Sequence, residues 1–436
     1  MTTNATRSST PGAQKSWNLG KALFILVNVV LLVEIAPLRA DARAVDSAAR
    51  AVSSMKRGWD ALRERAERGR QFLDVRRSIM MQKRSYNKTV YVSAKTYQGA
   101  NFFELRLSSP SAGYEWDFYS GQDYTHGYVD YLTKEQAFTK GLAYVTEEGR
   151  ANMHVDNWTV LTVDDINNGK YRPSVRISTT AKYNHGLYIL DVAKAPFGCS
   201  TWPAYWSTNE NWPRDGEIDI IENVHASLSN QVSWHTLPGC NLVTSGNYTG
   251  TALNTICDSN YMSNTGCNIV DPSVASFGPV FNEKGGGVFA MKWDDKSIDV
   301  WFFYRAAIPD NIIQGLPDPT TWPTPSASLS SQGCPIDQFF RNHMFIFDTT
   351  LCGDWAGTSY STSGCPGSCA EQVANPSNFV NATWSINYLK VYNKTVINTS
   401  YLDSSATQGT SSTNAWTSIY LLLITSLSAR LLSVAL

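Results

Sequence analysis

Three carboxylates crowd one short segment, Gly216-Glu217-Ile218-Asp219-Ile220-Ile221-Glu222-Asn223. β-Branched residues alternate with acids there, which is a strand pattern. Glu217 and Asp219 share a face by the two-residue period, whereas strict alternation sends Glu222 to the other side. One extra residue absorbed by a β-bulge near Ile220-Ile221 returns Glu222 to the acidic face and leaves the isoleucines to the core. Like charges gathered in one place repel, and burial raises the cost, so a structural role seldom needs all three acids. Cleavage of a glycosidic bond does need such a set. One carboxylate attacks the anomeric carbon, and a second, protonated, donates to the leaving oxygen. With the bulge, the two glutamate backbones lie roughly 13 Å apart along the strand. Side chains leaning inward on a curved sheet bring the carboxyl groups towards about 5–5.5 Å, the spacing of a retaining mechanism. Asp219, between them, can hydrogen-bond the nucleophile and help separate the two pKa values. The non-catalytic alternative is an acid-rich exposed strand or a calcium site.

Aromatic residues flank this segment. Upstream lies Thr201-Trp202-Pro203-Ala204-Tyr205-Trp206, then Trp212-Pro213, and downstream Trp234-His235. Sugar rings present apolar C–H faces, and indole offers a large flat surface for them. A lone Trp is usually core, but several around an acid cluster, in a chain with only 17% charged residues, point to a sugar-binding cleft. Some of these belong in the core, and Trp202 is the first expected there.

The elements that must hold this site are strands. Residues 88–395 lack a sustained 3.6-residue period. They show short Val-, Ile-, Tyr-, Phe- and Trp-rich runs between Gly, Pro, Asn and Asp clusters, for example 174–178, 186–191, 298–303 and 386–392. Such runs indicate an all-β, antiparallel sandwich. In the last of them neither face is cleanly apolar, so that strand is expected between two layers. Lys134–Ala137 is a run of good helix formers too brief to decide anything. No repeat of 20–50 residues stands out.

Both ends read as addresses. Residues 22–36 are apolar, preceded by Lys15 and Lys21 and followed by Ala40-Asp41-Ala42, the pattern of a signal peptide or an uncleaved signal anchor within 1–42. Residues 43–84 are rich in Arg, Ala and Glu and close on Lys83-Arg84, which suits a pro-segment or a helical stalk. Residues 85–400 are the expected catalytic domain. In 401–436 a small, polar stretch (403–414) precedes an apolar tail interrupted by Arg430. That is the order of a glycolipid-anchor signal with Ser404 or Ser405 as attachment site, or of a plain membrane anchor. Sequons at Asn87, Asn157, Asn247, Asn381, Asn393 and Asn398 fit a cell-surface or extracellular route. So do eight cysteines, all between 199 and 369, an even number whose 105 pairings stay open. A net charge of −1 argues against nucleic acid, which needs a clustered basic surface. No residue pattern calls for a cofactor or a zinc site. A structural calcium on the far face of the sandwich has no ligands that can be named. The expected assembly state is a monomer.

Glu217-Ile-Asp-Ile-Ile-Glu222 resembles the E-x-D-x-x-E signature of glycoside hydrolase family 16. The resemblance extends over roughly residues 90–395 to the fungal endo-1,3(4)-β-glucanases of that family. It runs through Thr125–Tyr131, Ser174–Arg176, Trp202–Trp206, His235-Thr236 with Pro238–Cys240, Asp348–Gly357 and Trp384–Tyr392. It implies a β-jelly-roll with a concave glucan-binding cleft and a retaining double displacement. By motif position it implies Glu217 as nucleophile, Asp219 as its assistant and Glu222 as acid/base. It also implies Trp206, Trp212 and Trp355 as sugar-stacking residues, and Arg176 and His235 as polar contacts near the cleavage point. The expected activity is endo-hydrolysis of β-1,3 or mixed β-1,3/1,4-glucan, bell-shaped in pH on the acidic side of neutral. A wall-remodelling transglycosylase uses the same intermediate, and a non-catalytic glucan binder is expected to lose a glutamate that this chain keeps.

Overall fold

Short β-rich runs punctuated by turns become strands throughout the computed structural model, which describes residues 87–103 and 115–398. In chain order the strands are β1 (Asn87–Gln98), β2 (Trp116–Phe118), β3 (Val129–Tyr131), β4 (Ala143–Val145), β5 (Ala151–His154), β6 (Arg172–Ser174), β7 (Ile177–Thr179), β8 (Gly186–Lys194) and β9 (Thr201–Thr208). They continue as β10 (Glu217–Glu222), β11 (Gln231–His235), β12 (Thr251–Asn254), β13 (Cys267–Val270), β14 (Gly287–Trp293), β15 (Ser297–Tyr304), β16 (Ala327–Ser330), β17 (Met344–Leu351) and β18 (Thr383–Asn398).

Two eight-stranded sheets result. The inner sheet runs β12-β13-β11-β10-β9-β17-β7-β2, and the outer one β16-β15-β14-β8-β18-β5-β4, with β1 also paired to β18. All pairs in both are antiparallel; β3 and β6 form a separate parallel pair. The chain changes sheets repeatedly, at β7–β8–β9, β13–β14 and β16–β17–β18, giving the jelly-roll sandwich expected.

The main core lies between the sheets. Ile218, Ile220, Ile221, Val232 and Trp234 come from the inner sheet, and Leu190, Phe289, Met291, Leu389 and Val391 from the outer one. Each fully buried aliphatic side chain of this kind contributes about 1.5–3 kcal/mol. A second cluster, including Leu187, Ile189, Val288 and Trp301, covers the other face of the outer sheet. β18 therefore does lie between two layers: Leu389 and Val391 face the main core, while Tyr388 and Tyr392 join the second cluster. The brief helix-forming run becomes a helix, Lys134–Thr139, closed at its start by a Thr133/Gln136 capping box.

The eight cysteines pair as Cys199–Cys365, Cys240–Cys334, Cys257–Cys267 and Cys352–Cys369. Among the described residues no helix is long and apolar enough to cross a membrane, and no group of three or more His, Cys, Asp or Glu is placed to hold a metal ion. The expected signal, pro-segment and anchor segments lie outside the described residues.

Candidate active site

The acidic strand carries the bulge that its spacing requires. Against β9, Glu217 pairs with Thr208 and Asp219 with Trp206; the register then slips, and Glu222 pairs with Ala204. Against β11 the slip falls between Asp219 and Glu222. Ile218, Ile220 and Ile221 all enter the core, so Glu217, Asp219 and Glu222 share the opposite face. A bulge leaves backbone groups outside the ladder, and Asn230 takes up two of them. Its side-chain oxygen accepts from Glu222 N–H at 2.9 Å, and its amide donates to Ile220 C=O at 2.8 Å. The side chain is buried. Gly216 opens the strand at φ +82°, where a Cβ would come within 2.5 Å of Phe339 C=O, a position suited to glycine.

Pairing register lines up Asn268, Ser233, Asp219, Trp206, Ile346 and Ser178 across six adjacent strands. Asp219 sits mid-row on the floor, and each glutamate is met by an indole. Trp212 Nε1 donates to Glu217 Oε2 at 2.5 Å, and Trp202 Nε1 donates to Glu222 Oε1 at 2.7 Å. Trp202 is thus a site residue and not the core residue expected. Alternation from Trp206 puts it on the same face, a signal already present in the sequence. Of the tryptophans that flank the acidic segment, Trp234 is the one buried in the core. Trp355 packs edge-on to Trp202 with ring centroids 5.7 Å apart. Trp206 donates to Asp348 Oδ2 at 3.3 Å. The Arg176 guanidinium lies 5.1 Å from the Trp206 ring and 3.7 Å from Asp348 Oδ2. His235 Nε2 stands 3.3 Å from Asp219 Oδ2, an ion-pair contact outside hydrogen-bond geometry. That buried oxygen has no hydrogen-bond donor among the described residues. All eight residues expected from the sequence therefore fall on this face or its rim. Asn230 and Trp202 are the additions, together with Asp348, which the sequence shows only as part of a longer stretch.

Burial and the neighbouring carboxylates set the ionisation. Burial, then the charge of Asp219, pushes Glu217 up to about 7, against the pull of His235 and the Trp212 hydrogen bond. The same two causes push Glu222 well above the ordinary carboxyl range, against the Trp202 hydrogen bond, so it holds a proton more firmly than Glu217. Burial favours a neutral His235, but Asp219, Glu217 and Glu222 outweigh it and raise the imidazole to about 10. Burial lifts Asp348 to about 7 despite Arg176. At neutral pH the site therefore offers one carboxyl that holds its proton, one that readily gives it up, and an imidazolium beside Asp219. That is the inventory of an acid-assisted nucleophilic displacement.

Comparison with known proteins agrees with this inventory. Residues 116–392 match a family model described as "XgeA-like, catalytic GH16 domain". A probable glycosidase of Schizosaccharomyces pombe is 40% identical over 314 residues, covering 71% of this chain and 70% of that protein. A probable endo-1,3(4)-beta-glucanase of Aspergillus niger is 42% identical over 312 residues, covering 69% of this chain. The match spans 40% of the length of that relative. Among solved structures, the chain is similar to Laminarinase 16A of Phanerochaete chrysosporium with beta-glucans in donor and acceptor sites, at TM-score 0.65 and 37% identity. The likeness covers 70% of this chain and 100% of that one. It is also similar to an elongating GH family 16 beta-1,3-glucosyltransferase, at TM-score 0.63 and 37% identity over 70% of this chain and 100% of that one.

Proposed function

The chain belongs to glycoside hydrolase family 16, and from that premise we propose that it is a retaining endo-glycosidase cleaving β-1,3 or mixed β-1,3/1,4-glucan. The observation that carries this reading is the bulged strand, which brings Glu217, Asp219 and Glu222 to one face with Glu222 the firmer proton holder. Glu217, ionised, attacks the anomeric carbon while Glu222 donates its proton to the departing glycosidic oxygen. Glu222, now a carboxylate, then takes a proton from water as that water displaces Glu217. Asp219 and the His235 imidazolium flank the nucleophile, and the imidazolium offsets the negative charge that the two carboxylates share. Trp206, Trp212 and Trp355 offer faces for glucosyl rings, and Arg176 offers hydrogen bonds to their hydroxyls.

Mass-spectrometric product analysis of the purified protein on laminarin, mixed-linkage glucan and cellulose tests this. The expected result is short β-1,3-containing oligosaccharides from the first two and none from cellulose. Glu217→Gln should lower turnover at least about 10³-fold while leaving binding nearly intact; persistent turnover in that variant would remove the nucleophile assignment. Likeness to an elongating glucosyltransferase favours one second reading, wall-remodelling transglycosylation, in which a sugar hydroxyl replaces the water. Products longer than the substrate decide for it.

The location goes with this reading. A secreted or membrane-anchored surface protein fits the terminal segments, the four disulfides and sequon asparagines that are exposed at Asn247, Asn381 and Asn393 and half-buried at Asn157. Endoglycosidase treatment of the native protein should increase its gel mobility. Unchanged mobility would count against passage through the secretory route.

A further inference from the structure

Resting on Glu217 and Glu222 as the catalytic pair, we propose that Asn264 is a positioning residue. From a disulfide-closed loop it holds both ring nitrogens of His235 in the hydrogen-bearing form beside Asp219.

His235 lies between two acceptors. Its Nδ1 is 2.9 Å from Asn264 Oδ1, and its Nε2 is 3.3 Å from Asp219 Oδ2. An amide oxygen only accepts, so Nδ1 carries a hydrogen. A carboxylate oxygen 3.3 Å from the other nitrogen attracts a protonated ring and repels the lone pair of a neutral one, so the two neighbours together favour the imidazolium. The charged groups that face it are Glu217, Asp219 and Glu222 of β10. Its own strand presents Ser233 and Gln231 on that side, and β13 presents Asn268. In the loop, Asp258 is turned onto Asn260.

The loop is built to deliver that oxygen. Cys257 and Cys267 close a ring around it. Met262, Ser263 and Asn264 take φ values of 45°, 52° and 63°, consecutive left-handed positions that non-glycine residues adopt only when held there. Thr265 Oγ1 donates back to Met262 C=O. Asn254 and Asn268 donate to Gly266 C=O and Thr265 C=O, pinning the loop to β12 and β13. At Gly266 a Cβ would meet three His235 ring atoms at 2.6–2.8 Å, so the backbone packs directly on the imidazole. One wall holds the ring's plane, and the amide fixes its protonation. The positive charge so maintained favours the ionised form of Glu217.

The test uses Asn264→Gly, which removes the acceptor at a backbone position glycine adopts without strain, with Asn264→Asp as rescue. The first readout is an NMR titration of the His235 ring in the whole protein, its signals assigned with His235→Gln. The second is the pH dependence of kcat/KM on laminarin. In Asn264→Gly the ring should titrate at least about one unit lower, a tenfold loss of proton affinity. The acid limb of kcat/KM near 7 should stay in place, because a ring lowered by about one unit from about 10 still carries its charge there; Asn264→Asp should restore the titration. An unchanged His235 titration, or one that Asn264→Asp does not restore, overturns the proposal. Because the ring titration needs no substrate, a protein that cleaves no glucan would sink the functional reading and still decide this one.

Discussion

At the residue scale the two glutamates are told apart by their indole partners. Trp212 donates to Glu217 and Trp202 to Glu222, and each bond favours the ionised form of its acceptor. Turnover needs Glu217 ionised and Glu222 protonated, so the acid limb of the pH profile follows Glu217 and the alkaline limb follows Glu222. With Glu217 raised to about 7, the bell of the free enzyme sits nearer neutrality than ordinary carboxyl values imply. Trp212→Phe should raise Glu217 and carry only the acid limb upward. Trp202→Phe should raise Glu222 and carry only the alkaline limb upward. Each shift should be about half to one unit, less than a fully buried charged hydrogen bond supplies because Trp212 is well exposed. Profiles of kcat/KM for the two variants check this, and limbs moving in the opposite assignment would exchange the roles of the glutamates. The acids were legible in the sequence because their spacing breaks the two-residue period at one point. Trp202 was legible in principle, four residues from Trp206. Its hydrogen bond to Glu222 was not, since that depends on which strand lies alongside.

At the element scale the site exists because β10 is irregular. The sequence predicts a bulge near Ile220-Ile221, and the register slips there against both neighbours. What it does not predict is how the displaced backbone is satisfied. Asn230 does this from the residue immediately before β11, with no short-range pattern to mark it as different from any turn asparagine. Asn230→Ala leaves the Ile220 carbonyl and the Glu222 N–H without their partner in a buried setting. Each orphaned group costs about 1–3 kcal/mol. Denaturant unfolding should therefore show a loss of roughly 2–6 kcal/mol, and kcat should fall by more than KM rises, because Glu222 moves with its backbone. A variant of native stability and activity would mean that the bulge holds itself. Strand existence followed from local composition in the same way, and β18 took its expected place between two layers. The order of strands in each sheet did not follow, because pairing depends on residues more than a hundred positions apart, as for β8 with β18.

At the scale of the whole molecule, the sandwich and the cleft are held by different means. The sheets close on an apolar core, whereas two disulfides tie down the segment that carries Trp355. Cys352–Cys369 spans it locally, and Cys199–Cys365 ties it to the β8–β9 connection. No spacing rule selects these pairs, since the partners of the second stand 166 residues apart. Cys199 and Cys365 are also half-buried, while Cys240, Cys257, Cys267 and Cys334 are buried in the fold, so a mild reductant should reach Cys199–Cys365 first. Removing that bridge with Cys199→Ala/Cys365→Ala should cost about 2–4 kcal/mol. Its effect on catalysis should be sharper and local. Trp355 loses its hold, then its edge-on contact with Trp202, so KM should rise severalfold at temperatures where circular dichroism still shows an intact β-sandwich. The decisive measurement is KM and near-ultraviolet dichroism followed together as temperature rises. If KM stays native until the whole fold melts, the sandwich alone positions Trp355, and the bridge serves only stability.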